Sequence, residues 1–123
     1  MKKDISNRKD IKKLVDKFYD KVKVDTLIGP FFTEVIDLNW KKHLTAMYSF
    51  WENVVFCTGS YEGNPMAKHQ AVHSKKSLRM EHFNRWQSLF NETVNELFEG
   101  GNAELIKQKA SSIGTVMQVK LFR

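Results

Sequence analysis

The sequence predicts an all-helical fold, and three observations predict it. Apolar residues recur with the 3.6-residue period of an α-helix over four stretches. Clusters of Gly, Pro and Asn fall between those stretches rather than inside them. No alternating apolar–polar run is long enough to compete as a strand, and there is no internal repeat.

Taken in order, Asn7, three residues before Asp10, is placed to cap a first helix. Its apolar positions Ile11, Leu14, Val15, Phe18 and Val22 keep the helical period, and Tyr19, four after Val15, shares the inner edge. A short helical piece is expected around Asp25 to Ile28; Gly29-Pro30 then stops the region and Phe31-Phe32 begins an apolar corner. The second helix is expected from about Leu38 to Phe56, with Trp40, His43, Leu44, Met47, Trp51, Val54 and Val55 on one stripe, so that His43 points inward. Gly59 to Pro65 has turn chemistry, Met66 to His73 is short, and Ser74-Lys75-Lys76-Ser77 is polar, which leaves room for a couple of helical turns at most. A third long helix, about Met80 to Glu99, carries Phe83, Trp86, Phe90, Val94 and Leu97 inward, and Gly100-Gly101 ends it. Asn102 is expected to cap the last helix, whose stripe is Ile106, Ala110, Ile113 and Met117.

Length and composition bound what such helices can do. The 123 residues are expected to form one domain, 1–123, around one hydrophobic core. Aromatics make up 12% of the chain, with nine Phe, three Trp and three Tyr, so much of the interior must be flat rings, which suits a flat aromatic ligand. The one cysteine, Cys57, excludes an internal disulfide, a thiolate zinc site and a Cys-ligated iron–sulfur cluster built within the chain, and reads as a buried spectator. No apolar run approaches the ~20 residues needed to cross a bilayer, and Met1-Lys2-Lys3-Asp4 leads into no signal-peptide core, so a cytoplasmic protein with no membrane partner is expected. The net charge of +6 is interleaved with acids, as in Lys9-Asp10-Ile11-Lys12-Lys13, in the manner of solvated helix faces. A nucleic-acid surface needs a concentrated stripe or a reader motif, and neither is present.

Four scattered side chains, Tyr19, His43, His69 and Trp86, fall where a helical chain could aim all of them at one buried flat ligand. That is the pattern of a haem pocket, in which one His ligates iron while the other faces a bound gas. Each residue taken singly has a plainer reading. His43 reads as a hydrogen-bonded core histidine, His69 as a surface histidine, Tyr19 as a ring bonded to a carbonyl, and Trp86 as filled volume. His69 and His73 are four apart and share a helix face, but Gln70 stands where a zinc protease needs Glu, so that chemistry is out. His73 stays open as an alternative to His69 at iron. His82, beside Phe83 near a helix start, reads as exposed or locally bonded.

The joint order of these pieces resembles the truncated haemoglobins, and among them the group III bacterial branch. The resemblance rests on Phe18-Tyr19, Gly29-Pro30-Phe31-Phe32, Trp40-Lys41-Lys42-His43-Leu44 with Met47 and Phe50-Trp51, Tyr61-Glu62-Gly63-Asn64-Pro65-Met66-Ala67-Lys68-His69, and His82-Phe83-Asn84-Arg85-Trp86 with Leu89-Phe90. It implies a two-over-two helical sandwich around haem b, with His69 as the proximal iron ligand. On the other face it implies a polar distal pocket of Tyr19, His43 and Trp86, with Phe32 and Met47 also against the cofactor. A phenol O–H and an indole N–H are donors suited to a polarised dioxygen. Lys41, Lys42, Lys68 and Arg79 are candidates to pair with haem propionates. The paired glycines that other truncated-globin branches place near their first and middle helices are absent, which favours group III; the sequence departs from the pattern in Asn39 and Gln87, which stand where aromatic or apolar residues are expected.

The function implied is reversible binding of dioxygen, with nitric oxide and carbon monoxide as further ligands. Distal hydrogen bonds slow oxygen release, so oxygen chemistry, nitric-oxide handling or sensing is a better expectation than oxygen transport, and an electron-donating reductase is the partner such chemistry needs. The alternatives are a haem enzyme with peroxidase-like or nitric-oxide-dioxygenase activity, and a haem-free helical interaction domain.

Overall fold

Asn7 starts the first helix as its position suggests: its side-chain oxygen accepts the Asp10 N–H at 3.0 Å, and α1 runs Arg8–Val24. The computed structural model describes residues 2–32, 39–59 and 78–121. Within them every regular element is helical: α1, then α2 (Trp40–Phe56), α3 (Met80–Leu97) and α4 (Gly101–Leu121). The stripe of α1 is its buried face, with Ile11, Leu14, Val15, Phe18, Tyr19 and Val22 all inside.

Beyond Val24 the chain turns on Asp25, whose carboxylate accepts the N–H groups of Leu27 and Ile28 at 3.2 and 3.1 Å. Gly29-Pro30 does not stop this region. Residues 29–32 continue in helical conformation, with Gly29 N–H donating to the Asp25 carbonyl at 3.0 Å. Proline is tolerated there because a first helical turn has no partner for the missing N–H. Gly29 is required for another reason: a Cβ at that position would lie 2.8 Å from the Val22 carbonyl oxygen and 3.1 Å from that of Lys23.

Asn39, expected to stand in for an aromatic, is instead the cap of α2, accepting the Lys42 N–H at 3.2 Å. At the other end Cys57 closes the helix in a left-handed conformation (φ 54°) with its N–H on the Asn53 carbonyl. Its side chain is exposed, so the expectation of a buried cysteine fails: the helix has run out of core by this residue. α1 and α2 are antiparallel, as three cross-links show: Arg8 to Glu52 at 3.0 Å, the Tyr48 hydroxyl to the Asp16 carboxylate, and the Lys23 ammonium over the Trp40 ring at 4.2 Å.

α3 ends at Leu97, two residues sooner than expected, and Phe98 caps it in extended conformation while burying its ring. α4 then begins at Gly101, one residue before its expected cap. Asp4 does the capping from the far end of the chain, its carboxylate accepting the N–H groups of Asn102 and Ala103 at 2.9 Å each. Asn102 uses its side-chain amide on the Ile5 carbonyl at 2.7 Å, and Glu99 N–H donates to the Lys3 carbonyl. Gly100 (φ +142°) makes room for this strap, since a Cβ there would come within 2.6 Å of the Asp4 side chain. Ile5, 1% exposed, pins the strap into the core.

The stripe of α4 is buried at Ala103, Ile106, Ala110 and Met117 and half-buried at Ile113. The α1–α2 pair thus packs on the α3–α4 pair, a two-over-two sandwich of helices. Phe18, Trp51, Phe90 and Val94 meet between the two layers.

Candidate functional site

α1 places Tyr19 one turn before its C-terminus, and there the phenol meets the start of α2. Its ring lies 5.0 Å from that of His43, 5.8 Å from Phe32 and 5.9 Å from Trp40, all edge-on. Phe32, Trp40 and His43 also touch one another, at 5.9 to 6.3 Å between centroids. Four rings from three pieces of chain therefore close one cluster, which the turn on Asp25 makes possible by bringing Phe32 back over α1. Trp40 was legible as part of the α2 stripe but not as a member of this cluster. The signal was there, since Trp40 precedes His43 by three residues and shares its helix face.

Trp86 approaches from α3. It is separated from Tyr19 by Phe18, which makes edge contacts with both, at 5.1 Å to Tyr19 and 5.8 Å to Trp86. Its indole stacks on Phe90 at 5.5 Å and on Trp51 at 6.4 Å. The site so far comprises Tyr19, Phe32 and His43 in direct contact and Trp86 one ring away. Met47 lies one turn along α2 from His43. His69 and His73, together with Lys68, lie outside the described residues.

The face of α2 splits in a way the sequence does not show. Tyr48, Trp51 and Val55 are buried. His43, Met47, Phe50 and Val54, spaced four, three and four residues apart, form a second stripe alongside, and all four are only half-buried. An apolar stripe left half-covered is costly in water, at roughly 25 cal/mol per Å². Trp86 repeats the pattern on α3: it lies among the buried Phe83, Phe90 and Thr93 on the inner face, yet is itself half-buried. α2 and α3 thus each leave apolar surface half-covered.

Polar atoms point the same way. The Tyr19 side chain is buried, and among the described residues its hydroxyl makes no hydrogen bond. Burial pushes the phenol well above its ordinary pKa, so it keeps its proton. The Trp86 indole N–H makes no hydrogen bond among the described residues either. The Nε2 atom of His43, whose ring lies against Tyr19, is buried. Away from the cluster, His82 is locally bonded as expected, its Nδ1 accepting the Arg79 N–H at 2.8 Å, and Gln87 turns its amide onto Asn91 at 2.8 Å. Lys41, Lys42 and Arg79 are exposed.

No family model matches the chain. A curated relative does: the group 3 truncated hemoglobin ctb of Campylobacter jejuni is 32% identical over 126 residues, which cover 100% of this chain and 97% of that one. The chain belongs to the group III truncated haemoglobins. The crystal structure of the group III truncated hemoglobin from Campylobacter jejuni agrees, superposing with a TM-score of 0.85 at 31% identity over 98% of this chain and 95% of that one. Among the described residues of this truncated haemoglobin no helix is long and apolar enough to cross a membrane.

Proposed function

We propose that this truncated haemoglobin holds haem b in a cleft between α2 and α3 and takes up a diatomic gas there, dioxygen foremost. The residues present fit the group. The half-buried stripe His43, Met47, Phe50 and Val54 offers an apolar wall for a flat macrocycle, and Trp86 and Phe32 offer further flat surface. His69, carried by the family order, would be the residue that holds the iron, and Lys41, Lys42, Lys68 and Arg79 would be the cations available to the propionates. Haem held in this way would supply an iron able to bind a small gas.

The observation that carries the gas-binding reading is Tyr19, a buried side chain in ring contact with His43 whose hydroxyl makes no hydrogen bond among the described residues. A hydrogen bond to such a donor is worth about 0.5–1.5 kcal/mol net. An incoming polar ligand that accepts it gains that energy, so the fold is set for a ligand with partial negative charge. Dioxygen polarised in a haem pocket fits, and carbon monoxide, which carries little charge, fits less well. Trp86 supplies a second N–H and His43 an imidazole, so the pocket has redundant polar groups. Slow oxygen release follows, which favours oxygen chemistry or nitric-oxide handling, supported by an electron-donating reductase, over oxygen delivery.

Two measurements test this reading. Purified protein supplied with haemin should develop a strong Soret absorption band, and a chain that never does so ends the proposal. Tyr19→Phe, nearly identical in shape, should speed dioxygen release roughly two- to tenfold and move carbon monoxide release far less. Equal shifts for both gases, or none, would take Tyr19 out of this role.

A further inference from the structure

The indole of Trp86 and the phenol of Tyr19 stand on different helices, so something must hold α3 in register with α1. The α1–α3 seam is antiparallel and carries several ion pairs. Lys17 to Glu96 and Lys21 to Glu92 and Glu96 are surface pairs, with Glu92 58% and Glu96 41% exposed. Such pairs are weak restraints. The pair at the other end differs in kind. The Arg85 side chain is 46% exposed, but that of Asp25 is only 6% exposed, and one of its oxygens takes both the Nε–H and an Nη–H of Arg85, at 2.8 and 2.7 Å. The second oxygen takes the N–H groups of Leu27 and Ile28. One carboxylate therefore binds the end of α1, the turn that returns Phe32 to Tyr19, and the residue before Trp86 on α3.

We propose that Asp25 and Arg85 are positioning residues for the gas pocket: their clamp fixes the rotation of α3 about its axis and so the aim of the Trp86 indole relative to the Tyr19 hydroxyl. Successive side chains on a helix point about 100° apart. Any roll of α3 that releases the guanidinium therefore swings the neighbouring indole across the cleft. A planar guanidinium bound through two nitrogens restrains roll as well as distance, which a lysine ammonium cannot do. Burial pushes the Asp25 carboxyl up, but the Arg85 guanidinium and the two backbone N–H groups together hold it below its ordinary pKa, so the clamp stays charged at neutral pH. Phe31, in the same turn, sets its ring 4.7 Å from that of His82 on α3, a second contact between the two pieces.

The inference rests on the gas-binding reading, and its test separates the two. The haem-loaded protein is given carbon monoxide, and the infrared C–O stretching band and the dioxygen off-rate are measured for the parent, Trp86→Phe, Arg85→Gln, Arg85→Lys and Lys21→Gln. A parent that takes no haem brings down the functional reading and this inference with it. Where the parent binds normally, Arg85→Gln should move or split the C–O band in the direction of Trp86→Phe and change the off-rate by roughly two- to tenfold. Arg85→Lys should fall between parent and Gln, and Lys21→Gln, which breaks a surface pair in the same seam, should leave both signals alone. If Arg85→Gln merely lowers the melting temperature while band and off-rate stay at parent values, the pair is structural only and the inference is overturned. Should Arg85→Gln fail to fold, Arg85→Lys carries the same test, with an unmoved band again counting against the clamp.

Discussion

At the residue scale, the polar atoms of the pocket set function against stability. Tyr19 was legible in the sequence because it lies four residues after Val15 on a clean helical stripe, and His43 because Met47 and Trp51 continue its face. Whether their polar atoms would find partners inside the fold was not legible, since that depends on rings brought from other helices. A hydroxyl that no protein group accepts should add nothing to the stability of the haem-free fold. Thermal melts of haem-free Tyr19→Phe should therefore match the parent or exceed it by a few degrees, about 1 kcal/mol corresponding to several degrees in a chain of this size. A fall of several degrees would mean that the hydroxyl already has an acceptor in the folded chain. At iron, His69→Ala should give protein that loses haem on a desalting column, while His73→Ala keeps the parent spectrum; the reverse outcome moves the axial ligand to His73.

At the element scale, the four long helices were readable because each buries one face, and their interior residues fall where the period puts them. Their ends were less readable. Asn7 caps by a local rule and was found; the cap of α4 comes from Asp4, and no window along the sequence joins residue 4 to residues 102 and 103. The half-covered stripe of α2 was likewise hidden, because periodicity tells an apolar face from a polar one but not how completely that face is covered. Asp4→Ala should cost about 0.5–2 kcal/mol, the usual worth of a helix cap, read from the denaturant midpoint. Burial raises the Asp4 carboxyl, but the N–H groups of Asn102, Ala103 and Ile5 together leave it net below its ordinary value. Asp10 and Asp25 are shifted the same way: burial raises each, and the hydrogen bonds and cation at Lys3 and Arg85 outweigh it. A depressed folded pKa contributes stability that is complete above the unfolded value of 3.8 and is lost as pH falls through the folded one. Denaturation midpoints should therefore hold from neutral pH down to about pH 5 and fall steadily below it, with a shallower fall in Asp4→Asn. A parent whose midpoint is flat to pH 3 would contradict the assignment.

At the scale of the whole molecule, a core rich in rings is flanked by apolar side chains that the described residues leave half-covered. A ligand that binds only the folded chain stabilises it by mass action, by about 4 kcal/mol at a thousandfold excess over its dissociation constant. Haemin titrated into haem-free protein should raise the melting temperature with concentration, and a melting temperature independent of added haemin would show that the cleft is not its site. The strap formed by residues 3–5 has a consequence of a different kind, in time. The hydrogen bonds of Asp4 to Asn102 and Ala103 span 98 and 99 residues of sequence. Ribosomes add roughly 5–20 residues per second, so the strap leaves the exit tunnel some five to twenty seconds before the helix it will cap. Until then Ile5 has no α4 to lie against, and the nascent chain carries an apolar, acid-tipped segment waiting for its dock. Emergence of α4, rather than of any earlier helix, is the event that lets Asp4 and Ile5 close the fold.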